Sequence, residues 1–408
     1  MSASVDVVII GNGLASLIAA RILLEDGLRP LLLNPDDDFF REDSELPFQP
    51  LSGQESQTDV PLIHAQQAEK MLEVLRPHYP GSVEFWSEAS SKKTEVRNSF
   101  APFVRSRHWL WLSDGFVRSD HGGSRISLAN IEQLFVEASD VGLSAQWLDG
   151  LAALRKLPGF SLKKIRERAH DHEQHQGTLI SGMGDVDVNR YRTGLLEFLR
   201  ERLGRESVVV GAGSLELVEE GIRYSVNGSA RVALPARGSM VMWTPKISGW
   251  LTNLQSRLSW RLPRPRGYQV WEHWSLVSRE AVDPTTIGIF RNATIWAETD
   301  GAPTRAPIHR LGILRFAGLY QSELEASGKW LGVESFAHIE SLARELLGWD
   351  GLTIRAMKVH TLLDWRNSEM VSKKWGKAGL PIHLVPGSDG SAISIVQHVS
   401  EAVRRAFA

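Results

Sequence analysis

The stretch VDVVIIGNGLASLIAARILLEDGLRPLLLN, residues 5–34, constrains the fold more than any other part of this 408-residue chain. Val5 to Ile10 is a β-branched run, the pattern of a strand buried on both faces of a parallel sheet. Gly11-Asn12-Gly13 then turns the chain, and Leu14 to Glu25 carries the apolar positions and alanines of a helix that stops at Gly27. Pro30 to Leu33 supplies a second apolar strand, which completes a compact β-α-β unit.

The two glycines suit a chain that passes from strand to helix with its backbone close to a pyrophosphate, where a Cβ would hold the phosphate off the amides. The helix from Leu14 points its partly positive N-terminus at the same place. Two positions depart from the usual dinucleotide fingerprint. Ser16 stands where a third glycine permits close helix–strand packing, and Asn34 stands where Asp or Glu accepts hydrogen bonds from ribose hydroxyls. An amide oxygen accepts such a bond without charge assistance, so weaker binding is expected. The alternative for Asn34 is a cap on the turn before Pro35, with Asp36, Asp37 or Asp38 as substitute carboxylates.

Composition narrows the chemistry. The chain has no cysteine, which excludes disulfides, thiolate nucleophiles, Cys-ligated zinc and iron–sulfur clusters. Its 46 basic and 48 acidic residues leave a formal net charge of −2, so no overall field favours nucleic acid or an anionic membrane. No apolar run approaches the length of a membrane span, and no leader precedes the first strand, so a cytoplasmic protein is expected. There is no HExxH, P-loop or GxSxG string. His170, His172 and His175 do not fall on one helix face, so no metal site is expected from them.

Along the rest of the chain, residues 35–58 read as an acidic loop or lid and Ile63 to Leu75 as a helix. Residues 95–145 mix strand candidates such as HWLWL with a helical pattern in ISLANIEQLFVEAS. The segment LPGFSLKKIRERAHDHEQHQG reads as a charged surface helix and loop. An amphipathic helix begins within Asp187 to Arg190 and ends at Gly204. SVVVGAG, LELVEE, GIRYSVNG and ARVALP look like an antiparallel meander, and MVMWTP like a buried strand. Aromatic strands fill 265–325, a helix is expected at 334–347, and TIRAMKVHTLL is a further strand. The C-terminal sequence from 379 gives strand, glycine turn and closing helix.

An N-terminal β-α-β unit with a C-terminal return of this kind resembles the FAD-dependent oxidoreductases of the glutathione-reductase-type fold, and among them the glycine and D-amino-acid oxidase-like group. The resemblance lies in VVIIGNGLASLIAARIL, GDVDVNRYRTGLLEFLRERLG, MVMWTP and HLVPGSDGSAISIVQHVSEAV. It implies an α/β chain in which a Rossmann-like FAD-binding domain (1–60, 177–250 and 378–408) carries an inserted antiparallel-sheet substrate domain (61–176 and 251–377). It implies FAD as cofactor, held by Gly11, Gly13, Leu14, Ala15, Ser16 and Asn34. The C-terminal turn Gly387, Ser388, Asp389, Gly390, Ser391 and Ala392 would face the flavin with its amides. Trp243 replaces a small residue of that pattern.

For the substrate, the aromatic and basic stretch from 264 to 320 offers Tyr268, Trp271, Trp274, Trp296 and Tyr320 as pocket walls. Arg291, Arg315 or Arg366 is available to hold a carboxylate; the alternative for each aromatic is a place in the sheet core. Amine oxidation by flavin needs little acid–base help, so no catalytic acid or base is singled out. Three functions remain open: oxidation of an amine or amino-acid-like substrate, flavin-dependent monooxygenation of an aromatic or protein side chain, and a non-catalytic binding or maturation subunit with a partner protein.

Overall fold

Val7 to Ile10 are wholly buried, because this strand has neighbours on both edges and packed layers on both faces. The computed structural model describes residues 5–11, 13–34, 62–65, 84–87, 104–112, 128–140, 144–156, 177–186, 188–242, 267–277, 286–289, 293–298, 308–319, 353–364, 369–386 and 392–407. The chain begins with β1 (Val5–Ile10), α1 (Leu14–Glu25), β2 (Pro30–Asn34), β3 (Leu62–Ala65), β4 (Glu84–Ser87) and β5 (Val104–Leu112). It continues with α2 (Leu128–Asp140), β6 (Ser144–Leu148), α3 (Gly150–Lys156), β7 (Gly177–Val186), α4 (Val188–Leu203) and β8 (Val208–Val210). Then come β9 (Gly213–Val218), β10 (Gly221–Val226), β11 (Ser229–Ala233), β12 (Pro235–Met242), β13 (Gly267–Val277), β14 (Thr286–Ile289) and β15 (Ala293–Glu298). The last elements are β16 (Ile308–Leu319), β17 (Thr353–Asp364), β18 (Val371–Trp375), β19 (Leu380–Val385) and α5 (Ala392–Phe407).

Six strands form one sheet in the order β18-β19-β12-β1-β2-β8. The pairs from β19 to β8 are parallel, and β18 closes one edge antiparallel to β19. Alternation along each strand sorts its side chains into two cores. Val7, Ile9, Leu32, Met240 and Val385 face a helical layer, where α4 presents Tyr191, Leu195, Leu196 and Leu199 and α5 presents Val399, Ala402 and Val403. Val8, Ile10, Leu33, Val241 and Leu384 face Leu217, Ile222, Tyr224 and Ala233 of the three-stranded meander β11-β10-β9. Both faces are thus buried, which is why these strands read as continuous apolar runs. Each fully buried Leu, Ile or Val contributes about 1.5–3 kcal/mol of transfer free energy.

A second, eight-stranded sheet runs β17-β13-β16-β15-β14-β5-β7-β6. Its pairs are antiparallel except for β14 with β5. Beside it, β3 and β4 pair with each other in parallel; β3 packs against β7 and β4 touches α5 of the first sheet's helical layer.

The expected β-α-β unit is present with the expected limits, except that β2 runs one residue further and takes in Asn34. Two expectations are corrected. The helix expected from Ile63 begins instead with β3, whose backbone is paired with β4. Val208–Val210 is not part of the meander: it extends the parallel sheet beside β2, with Leu33 opposite Val209. β7 lies in the antiparallel sheet and β18 in the parallel one. The acidic loop 35–58, the charged segment with His170, His172 and His175, and the helix at 334–347 lie outside the described residues.

Candidate functional site

The carboxyl ends of β1, β2 and β12 meet at Gly11, Asn34 and Met242. Sites in open parallel sheets form at such strand ends. The Gly11 amide donates to the Leu33 carbonyl at 3.2 Å, which holds the ends of β1 and β2 together. A Cβ on Gly11 would stand 2.8 Å from the Cβ of Met242, so the close approach of β1 to β12 alone demands glycine there.

Gly13 starts α1 at φ 130°, ψ −172°, a conformation that L side chains rarely adopt. Gly13, the residue before α1, has no side chain with which to cap the helix, and the first turn holds no acidic residue. Ser16, which is 2% exposed, returns its hydroxyl to the Gly13 carbonyl at 3.0 Å. Its side chain is therefore spent inside the helix turn. The helix presents backbone at the strand ends, as a group that binds a pyrophosphate requires.

Asn34 is only 2% exposed and paired with Val210 at the last rung of β2. Its carbonyl accepts the Ala212 amide at 2.8 Å. The residue is thus the last of β2, level with the glycine turn that ends β1. A buried asparagine at the carboxyl end of β2, with the glycine start of α1 at the end of β1, fits the ribose and pyrophosphate of FAD.

At the other end of the chain, α5 starts at Ala392, and His398 Nε2–H donates to the carbonyl of Pro386 at 2.8 Å. This bond ties the exit of β19 to the helix. Nothing in the sequence pattern pointed to His398. Gly387, Ser388, Asp389, Gly390 and Ser391 lie outside the described residues, as does Trp243.

Of the substrate candidates, Tyr268 is in β13 and Arg315 in the neighbouring β16. Tyr268 pairs with Gly318 and Leu363. Arg315 is the extra residue where the ladder steps from Val270–Phe316 to Trp271–Leu314. Trp274 shares the register face of Tyr268, Trp271 takes the opposite one, and Trp296 pairs with Arg310. Tyr320, Arg291 and Arg366 lie outside the described residues.

With sheets and strand ends placed, the chain can be compared with solved structures. It is similar over 99% of its length to the open form of NikD, described as an unusual amino acid oxidase essential for nikkomycin biosynthesis, with a TM-score of 0.55, 14% identity and 94% of that chain covered. The fold is that of amino-acid oxidases. The same oxidase fold relates 99% of the chain to glycine oxidase from Geobacillus kaustophilus, with a TM-score of 0.52, 12% identity and 95% of that chain covered. L-proline dehydrogenase from P. horikoshii matches 99% of the chain with a TM-score of 0.53, 11% identity and 93% of that chain covered. No protein-family model and no curated protein matches the sequence. Among the described residues, no helix of this oxidase-fold chain is long and apolar enough to cross a membrane.

Proposed function

We propose that the protein is an FAD-dependent oxidoreductase that removes a hydride from the carbon beside the nitrogen of a small amine or amino-acid-like substrate. The observation that carries this reading is the start of α1: Gly13 at positive φ and no acid in the first turn, at the strand ends where buried Asn34 closes β2. The oxidase fold of the whole chain supports it.

In this reading the backbone amides of Leu14, Ala15 and Ser16 hold the FAD pyrophosphate, with Gly11 and Gly13 keeping Cβ atoms out of its way. The Asn34 carboxamide accepts a ribose hydroxyl. Gly387 to Ala392 present amides and the start of α5 to the flavin ring, favouring negative charge on the reduced ring. FAD, when bound, supplies the two-electron acceptor, and dioxygen or another acceptor takes the electrons on. The six-stranded sheet with its meander forms the cofactor half, and the eight-stranded sheet forms the substrate half. Tyr268 and Tyr320 wall the substrate, with Arg315 or Arg366 on its carboxylate. A cytoplasmic location goes with this reading, in line with a chain that has no cysteine.

The test is an absorbance spectrum of the purified protein before and after titration with FAD, followed by anaerobic addition of amino acids. Flavin bands that bleach with an amine are expected. Protein that shows no flavin absorbance and takes up no FAD overturns the proposal. FAD uptake with reduction by NAD(P)H and not by amines would shift the reading to a monooxygenase.

A further inference from the structure

α5 is clasped to β19 at two points. Lower on the strand, the ring of Phe407 stands edge-on to His383 at 5.3 Å between centroids. At the carboxyl end, His398 Nε2–H donates to the Pro386 carbonyl at 2.8 Å. The helix therefore runs back along the strand it follows, and only the second clasp lies at the end where α5 begins. Pro386 is buried and stands just past the last rung of β19, so its carbonyl takes a donor from the helix and not from a neighbouring strand.

The strand register fixes the height of this clasp. Ile10 pairs with Val241, which pairs with Leu384, and one step further Met242 pairs with Val385. Gly11, which approaches Met242, and Pro386, which follows Val385, thus stand at the same end of the parallel sheet. β1 and β19 are the two neighbours of β12, so about 10 Å separates them. α1 leaves the end of β1 and α5 follows the end of β19, and the two helices pack against each other. Both begin at the strand ends where the proposed function seats FAD.

We propose that His398 is a positioning residue for the flavin. By holding Pro386 to the second turn of α5 it fixes the separation between the end of β19 and the helix start, and with it the aim of residues 387–392. The inference rests on the FAD-binding reading above. Amides and a helix start favour negative charge on the reduced ring only while they are held toward it, so His398 acts on the reduction potential through the backbone.

The experiment uses the full-length protein. It reads the two-electron reduction potential of bound FAD by anaerobic equilibration with a reference dye, the FAD Kd by titration, and the melting temperature of the apo protein. His398→Leu and His398→Asn both lose the bond, the second because its amide stops at the place of Nδ1. His398→Gln keeps it, since its amide reaches the place of Nε2. Loss of the bond is expected to weaken binding of reduced flavin about threefold to tenfold more than that of oxidised flavin, a fall in potential of about 15–30 mV. His398→Gln restores the parent value. Phe407→Ala loosens the lower clasp, so it lowers the melting temperature and leaves the potential unmoved. The parent potential in both Leu and Asn variants overturns the assignment, as does an equal shift in His398→Gln or in Phe407→Ala. If His398→Leu does not fold, the Asn and Gln variants carry the same comparison. Protein that takes up no FAD overturns the functional reading and this role with it, whereas FAD uptake with one potential in every variant overturns the role of His398 alone.

Discussion

Gly11 and Met242 stand so close at the ends of β1 and β12 that a methyl group on the first would lie 2.8 Å from the Cβ of the second. The glycine thus serves the packing of two strands and, in the proposed function, the approach of a phosphate. Gly11→Ala separates the two by its effect without cofactor. Overpacking of this kind costs about 1–3 kcal/mol, so the apo protein should melt earlier. FAD affinity should fall beyond what that destabilisation explains. Thermal melts with and without FAD, set against titration of FAD at low temperature, measure both parts.

Asn34 offers a gain-of-function test. A carboxylate at this position would accept the ribose hydroxyls with charge assistance, a difference of about 1–1.5 kcal/mol over a neutral bond, or about tenfold in affinity. Asn34→Glu should therefore bind FAD more tightly by calorimetry. Because the site is 2% exposed, the same change should lower the stability of the apo protein, which must bury the charge alone. Unchanged affinity would mean that the side chain does not reach the ribose.

His383 in β19 gives the fold a pH dependence. It is buried beneath α5, with Nδ1 2.8 Å from the Ser372 hydroxyl and its ring edge-on to Phe407 at 5.3 Å. Burial pushes its pKa below the ordinary histidine value of 6.5. The folded state therefore holds the neutral ring where the unfolded chain already takes a proton. Stability is full above about pH 6.5 and falls as the pH drops from there toward the lowered folded value. Denaturant melts between pH 5 and 8 should show this slope, and His383→Gln should flatten it.

The bond from His398 to the Pro386 carbonyl sets how β19 hands over to α5. His398→Leu leaves that carbonyl without its donor, a loss of about 1–2 kcal/mol. His398→Gln, whose amide nitrogen reaches the place of Nε2, should recover most of it. Chemical denaturation of the three proteins tests the order.

The amino-acid pattern was most informative where one physical demand dominated. Val5–Ile10 is buried on both faces and Gly13 needs a positive φ, so β1, the turn and α1 were legible to the residue. The aromatic strands from Tyr268 to Leu319 were legible by their composition. Val208–Val210 was not, because a three-residue apolar run says nothing about the direction of its neighbour; only the pairing with β2 does. Leu62–Ala65 is too short for its period to separate strand from helix, and the helical spacing that follows it in sequence prevailed.

The order of the six-stranded sheet has a consequence for how the protein is made. Val8 pairs with Ser239, and Ser239 in turn with Ile382, while α1 packs against α5. β1 therefore keeps one apolar edge open until β12, Pro235–Met242, has been made, and β12 in turn keeps an edge open until β19, Leu380–Val385. Long-range parallel pairing is slow and prone to aggregation while it waits. Chaperones should engage the nascent chain until β19 emerges, and a protein truncated before β19 should accumulate as an insoluble product and not as a folded N-terminal half.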